Sequence, residues 1–96
     1  MTVIWTESAK VSYREILLYL KRRWTKTEYD NFKNRTTQLL KNVCVQPKAF
    51  SVYERNSNIR KAILLDVITL YYTQQDDKIY LLLFWDNRRN PKDLKL

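Results

Sequence analysis

The sequence predicts an α+β protein: a short N-terminal strand and an antiparallel helical hairpin packed on a mostly antiparallel sheet of about four strands. Three observations carry this. Apolar residues of the first half recur at three- and four-residue spacing, the mark of helices with one buried face. Pro47 interrupts that spacing, because it lacks an N–H and its ring clashes with the preceding turn. From Phe50 onward, β-branched and aromatic residues stand between short polar groups, which is strand grammar. With 96 residues and 45% hydrophobic content, one core is expected, and residues 1–96 read as a single domain.

Residues 3–5 read as the first strand. Thr6 or Ser8 can cap the helix that follows by accepting from its unpaired backbone N–H groups. That helix should run as far as Trp24, with Ala9, Tyr13, Ile16, Leu17, Leu20 and Trp24 on its core face. Thr25-Lys26-Thr27-Glu28 has the form of a capping box and starts a second helix. Its stripe is Tyr29, Phe32, Thr36, Leu39, Leu40 and Val43, and the short connection implies that the two helices run antiparallel.

Beyond Pro47, residues 50–53 read as a weak strand or extended loop, and 59–65, 67–73 and 78–85 as strands. Gln74-Gln75-Asp76-Asp77 is the turn between the last two. The chain has no glycine, so positions that need positive φ fall to Asn or Asp, and Asn42, Asn56, Asn58, Asp66, Asp76 and Asp77 are the candidates. The segment 79–84 is apolar on both faces, so it should be an interior strand with the helical hairpin on one side and a different cover on the other. Residues 86–96 form a polar tail.

Composition excludes several chemistries. The absence of histidine removes the commonest general base and zinc ligand, and Cys44, the lone cysteine, cannot supply a thiolate cluster. Without glycine, Walker-type phosphate loops and dinucleotide fingerprints cannot be built. No metal and no cofactor is therefore expected. A single cysteine allows no internal disulfide and suits a reducing, cytoplasmic compartment. Neither export nor membrane insertion is expected, since no segment approaches the roughly 20 apolar residues of a membrane span. Eighteen Lys and Arg against ten Asp and Glu leave a formal charge of +8, which points to polyanionic or acidic partners, with simple solubility as the bland alternative.

The order strand, helix, helix, then antiparallel strands and an arginine-bearing tail resembles the RelE/ParE toxin superfamily along nearly the whole chain. The segments that carry the resemblance are Val3-Ile4-Trp5-Thr6-Glu7-Ser8-Ala9, Ile16-Leu17-Leu18-Tyr19-Leu20, Ile59-Arg60-Lys61, Thr69-Leu70-Tyr71-Tyr72 and Phe84-Trp85-Asp86-Asn87-Arg88-Arg89-Asn90-Pro91. The resemblance implies a growth-inhibiting bacterial toxin of a type II toxin-antitoxin pair, neutralised by a cognate acidic antitoxin. Relatives either inhibit DNA gyrase or cleave mRNA on the ribosome, and fold does not choose between them. In the ribonuclease branch, Arg60, Lys61, Arg88 and Arg89 would match the basic positions by segment, with Arg60, Arg88 and Arg89 as the catalytic set. That branch also carries an arginine where Leu64, Leu65 and Asp66 stand here, and usually a Tyr or His near the end, whereas residues 91–96 contain neither. Tyr53, Tyr72, Tyr80, Glu54 or Lys61 could stand in. A gyrase-type binding toxin is the favoured reading, a ribosome-dependent endoribonuclease the alternative, and a plain nucleic-acid-binding module the third.

Within the tail, Trp85, Asn87, Arg88, Arg89 and Asn90 offer a stacking plane, planar cations and amide donors, against the bland reading of a solvated chain end. Alternation sends Arg60 and Lys61 to opposite faces, and Arg60 is expected to share a surface with the tail arginines. The target-binding set is thus Arg60, Lys61, Trp85, Asn87, Arg88 and Arg89, gathered in a concave seat on the helix-free side of the sheet. Lys21-Arg22-Arg23 and Lys26 either stabilise a helix end or track phosphates. Val11, Arg14, Leu18 and Arg22, opposite the core face of the first helix, are the candidate antitoxin-binding stripe.

Overall fold

Thr6 organises the start of the chain. Its hydroxyl oxygen accepts from the Ala9 N–H at 3.2 Å, capping the first helix, and its O–H donates to the Leu81 carbonyl at 2.6 Å. The residues before it form strand β1, Thr2–Trp5, and those after it helix α1, Glu7–Arg23. Trp24 and Thr25 alone separate α1 from α2, Lys26–Val45, whose capping box is formed as the sequence predicts: Thr25 and Glu28 each bond the other's backbone. Trp24 meets Phe32 and Tyr13 meets Thr36, so the helices run antiparallel. After Pro47 come β2, Ser51–Tyr53, β3, Asn56–Leu65, β4, Ile68–Gln75, and β5, Lys78–Asp86, then a 3-10 turn at Pro91–Asp93. This computed structural model describes residues 1–65 and 67–96.

The sheet has five strands in the order β1-β5-β4-β3-β2, one more than the sequence reading counts. The extra strand is β1, which pairs parallel with β5, Thr2 opposite Lys78 and Trp5 opposite Leu81. The sequence shows β1 as a strand but not its partner, because a parallel pairing joins segments far apart in the chain. The other pairings are antiparallel. Ala9, Leu20, Phe32, Val43, Leu70, Tyr72, Ile79, Leu81 and Phe84 fill the layer between helices and sheet. A second cluster of Tyr53, Ile59, Tyr71 and Trp85 lies on the opposite face, where Leu82, Leu83 and Leu94 pack against it. The different cover expected over the second face of 79–84 thus includes the chain's own tail.

Two expectations need correction. Among the described residues, Asp76 alone takes a positive φ, 57°, in the β4–β5 turn. Asn42 sits inside α2, where helical hydrogen bonding outweighs its turn preference, Asn56 and Asn58 lie within β3, and Asp66 falls outside the described residues. The interior strand is also only half interior. β5 has β1 beside it from Lys78 to Leu81, but β1 stops where Thr6 turns the chain into α1, and α1 then runs along the rest of that edge. The Ser12 hydroxyl accepts from the Phe84 N–H at 3.0 Å and donates to the Ser8 carbonyl, standing in for the missing strand.

Candidate functional site

Where β1 ends, α1 and the free edge of β5 enclose a groove of about 560 Å³. Val11, Ile16, Leu83 and Phe84 make its apolar floor, Glu7 and Glu15 project from the helix, and Arg88 and Arg89 close it from the tail. Tyr19 stands at the basic end with two guanidiniums on its ring, Arg23 at 5.1 Å and Arg88 at 5.7 Å from the centroid. Those three residues also line an adjoining hollow of about 200 Å³. Tyr19 is 41% exposed, so this basic end faces solvent.

Asp86 orients Arg88 as a fork. Its two carboxylate oxygens accept from Arg88 Nε at 3.0 Å and Nη2 at 2.7 Å, and one of them also accepts from the Arg88 backbone N–H. These bonds hold the Asp86 carboxyl below the usual carboxylate range and raise the Arg88 guanidinium. The Asp86 pairing uses Nε and Nη2 and leaves Arg88 Nη1 outside it. Arg89 lies over the Trp85 ring at 4.7 Å. Trp85 is buried beneath it, so its indole serves as a platform for Arg89 and offers no open stacking plane. Asn87 is likewise committed: its side-chain amide donates to Thr69 Oγ1 at 2.8 Å and its backbone N–H to the Val67 carbonyl at 2.7 Å. Asn90 caps the 3-10 turn by accepting from the Lys92 N–H.

Arg60 departs from the expected seat. It pairs in register with Tyr72 on the helix side of the sheet, where its Nη1 donates to the carbonyls of Phe50 at 2.6 Å and Lys48 at 3.2 Å. It therefore pins the segment between α2 and β2, on the face opposite Trp85 and Arg89. Alternation did separate Arg60 from Lys61, but it is Lys61 that lies on the helix-free face, paired in register with Tyr71. There Lys61 forms an ion pair with Glu54 at 2.8 Å, which raises its own pKa and lowers that of Glu54. The structure thus brings Arg88 and Arg89 together with Trp85, leaves Lys61 as a separate point on the same face, and removes Arg60 from it. Of the α1 stripe, Val11 lines the groove, while Arg14, Leu18 and Arg22 remain exposed outside it.

Several groove residues were missed by sequence reasoning. Tyr19 and Glu15 lie between the core stripe and the exposed stripe of α1, where periodicity assigns no role. Asp86 had a signal in its two-residue spacing from Arg88. Ser12 had none, since its partner Phe84 is 72 residues away. Among the described residues, no group of three or more His, Cys, Asp or Glu side chains is placed to hold a metal ion. No helix is long and apolar enough to cross a membrane.

A helical hairpin on one face of a five-stranded sheet, with an arginine-bearing tail folded over the other, places the chain in the class of small toxin folds. A copper-bound mutant toxin from Helicobacter pylori superposes with a TM-score of 0.66 at 12% identity, over 92% of this chain and 96% of that one. A likeness at that identity is one of fold. The sequence pattern of the ParE toxin of the type II toxin-antitoxin system parDE matches residues 3–91, and the chain belongs to that family. Membership implies a cognate antitoxin. Among curated proteins, none matches the chain.

Proposed function

We propose that this ParE-family toxin arrests growth in the bacterial cytoplasm by docking onto a gyrase-type nucleic-acid machine, and that an acidic antitoxin neutralises it. The observation that supports binding over RNA cleavage is the division of the arginines. Attack of a ribose 2′-OH on its own phosphate needs an acid, a base and positive charge converging on one phosphorane. Here Arg60 anchors a loop on one face, while Arg88 and Arg89 sit at the far edge, held by Asp86 and Trp85. An arrangement of this kind presents charge to a surface. Arg88 and Arg89, with Lys61 on the same side of the sheet, are the residues assigned to the target.

The antitoxin is assigned to the solvent side of α1. Val11 and Leu18 are 38% and 53% exposed, and Arg14 and Arg22 flank them, so an acidic segment with apolar residues would find both kinds of contact there. The basic end of α1 extends the same field, with Lys21, Arg22 and Arg23 in its last turn.

Supercoiling by purified gyrase in the presence of the purified chain tests the target. Loss of supercoiling is expected, with weaker inhibition by Arg88→Ala and Arg89→Ala. Full supercoiling at excess chain would remove gyrase, and cleavage within codons in a translation extract would replace binding with ribonuclease action.

A further inference from the structure

We propose that the basic end of α1 and the tail together form a phosphate-binding ridge for duplex DNA, with Arg23, Arg88 and Arg89 each taking a backbone phosphate. The choice of DNA as the nucleic acid rests on the reading of the chain as a toxin of a gyrase-type machine, and the ridge gives the toxin a contact with the DNA that such a machine holds.

Two guanidiniums from opposite ends of the chain meet on one ring. Arg23 lies 5.1 Å and Arg88 5.7 Å from the Tyr19 centroid, beside the hollow of about 200 Å³ that all three residues line. Arg89, next along the tail, lies 4.7 Å from the Trp85 centroid. Aromatic faces hold these long side chains in place, which lowers the entropy they lose when a ligand binds. Among the described residues, Asp86 is the one carboxylate that pairs with any of the three, through Arg88, so Arg23 and Arg89 keep their charge uncompensated. Lys21 and Arg22 add two exposed cations in the same last turn of α1. Stabilising a helix end accounts for cations in that turn, but not for Arg88 and Arg89, which come from the tail. Like charges gathered in this way repel one another, and a polyanion relieves the repulsion.

The surroundings select a duplex. Single strands are held by bases stacked on open aromatic faces. Here the Tyr19 ring carries two guanidiniums, Trp85 is buried beneath Arg89, and Tyr53 and Tyr71 are buried edge to face against each other. What the surface offers is charge at fixed positions, which engages the backbone and not the bases. Glu7 and Glu15, on the groove side of α1, turn a polyanion away from the groove, so the backbone runs across the α1 end and the tail. Binding is therefore independent of base sequence and steep in its dependence on salt.

The test measures binding of the full chain to a short fluorescent DNA duplex of arbitrary sequence, by anisotropy over a range of potassium chloride concentrations. Three phosphate contacts predict that log Kd rises against log salt with a slope of about 2.7, a loss of about 40-fold for a fourfold rise in salt. Arg23→Ala, Arg88→Ala and Arg89→Ala should each lower that slope by about one, Arg23→Lys should keep it, and Lys41→Ala, which removes the same charge from the exposed side of α2, should leave it unchanged. Equal slopes in wild type and all three alanine variants, an equal drop for Lys41→Ala, or tighter binding of the matching single strand than of the duplex overturns the proposal. Displacement of the chain by inorganic phosphate at the concentration of the DNA phosphate also overturns it, by marking a small-anion site. Supercoiling by purified gyrase with the same variants keeps the two readings apart. Lost supercoiling without duplex binding overturns the ridge and leaves the gyrase reading intact, whereas duplex binding with full supercoiling overturns the gyrase reading and leaves the ridge standing. Circular dichroism of each variant separates lost binding from lost folding.

Discussion

Tyr72 buries its ring between helices and sheet and donates its O–H to the Pro47 carbonyl at 2.6 Å. Burial pushes its pKa up to about 12. The sign follows: the folded state holds the phenol proton more tightly than the unfolded chain does. The stabilisation is complete below the unfolded value of about 10 and is lost as pH rises toward about 12, by up to about 1.4 kcal/mol per pH unit. Tyr72→Phe should lower stability at neutral pH by about 1 kcal/mol and flatten this alkaline loss, which denaturant titrations at several pH values would show. An unchanged alkaline slope would assign the loss to another group. Thr36 is a comparable buried link: it accepts from the Tyr13 hydroxyl at 2.9 Å and donates to the Phe32 carbonyl. Thr36→Val keeps the shape but strands the Tyr13 hydroxyl, so a loss of about 1–3 kcal/mol is expected in the same titration. At this scale the sequence was legible where residue type alone decides. Asp76 took the positive φ that a chain without glycine must place somewhere, while Asn42 did not, because its neighbours propagate a helix. Arg60 shows the limit. Alternation separates it from Lys61, but which of the two faces the helices depends on whether Ala62 and Leu64 or Ile59 and Ile63 lie beneath them.

Among the elements, β1 has the widest consequences. It is four residues long because Thr6 caps α1 and bonds Leu81 at the same point, and its early end leaves β5 open over its second half. Ser12 partly closes that edge. Ser12→Ala removes the acceptor of the Phe84 N–H and should cost about 1 kcal/mol, with faster exchange of the Phe84 amide as its specific signature. Slow exchange at Phe84 in that variant would show that another group shields the edge. The helices were readable from spacing and caps, and the strands from β-branched and aromatic runs. The groove was not, since it arises from contacts between α1 and β5, which lie at opposite ends of the chain. Arg60 likewise acts at this scale, holding the α2-to-β2 connection to the sheet. Arg60→Ala should lower stability by about 1.5–3 kcal/mol and leave the proposed inhibition of gyrase, per folded molecule, unchanged, whereas Arg88→Ala should reduce that inhibition with less effect on stability. Equal loss of inhibition from both, at equal folded fraction, would return Arg60 to the target surface.

For the whole molecule, a charge of +8 on 96 residues gives a field that favours acidic and polyanionic partners, and the fold decides where that field has shape. It has shape at the β5 edge, where Arg23, Arg88 and Arg89 meet the aromatic rings of Tyr19 and Trp85. The family likeness was visible in the order of elements and in the tail motif. The expected three-arginine seat was not formed: Arg60 anchors the α2-to-β2 connection on the helix side, and Arg88 and Arg89 remain together at the β5 edge. Induced expression in a bacterial host, with viable counts, plasmid supercoiling and message integrity followed together, tests the proposed toxin action most directly. Growth should stop with plasmids relaxed and messages intact, and co-expression of the cognate antitoxin that family membership implies should restore it. Uninterrupted growth at high expression of the folded chain would contradict the toxin assignment, and fragmented messages with normal supercoiling would contradict action by binding.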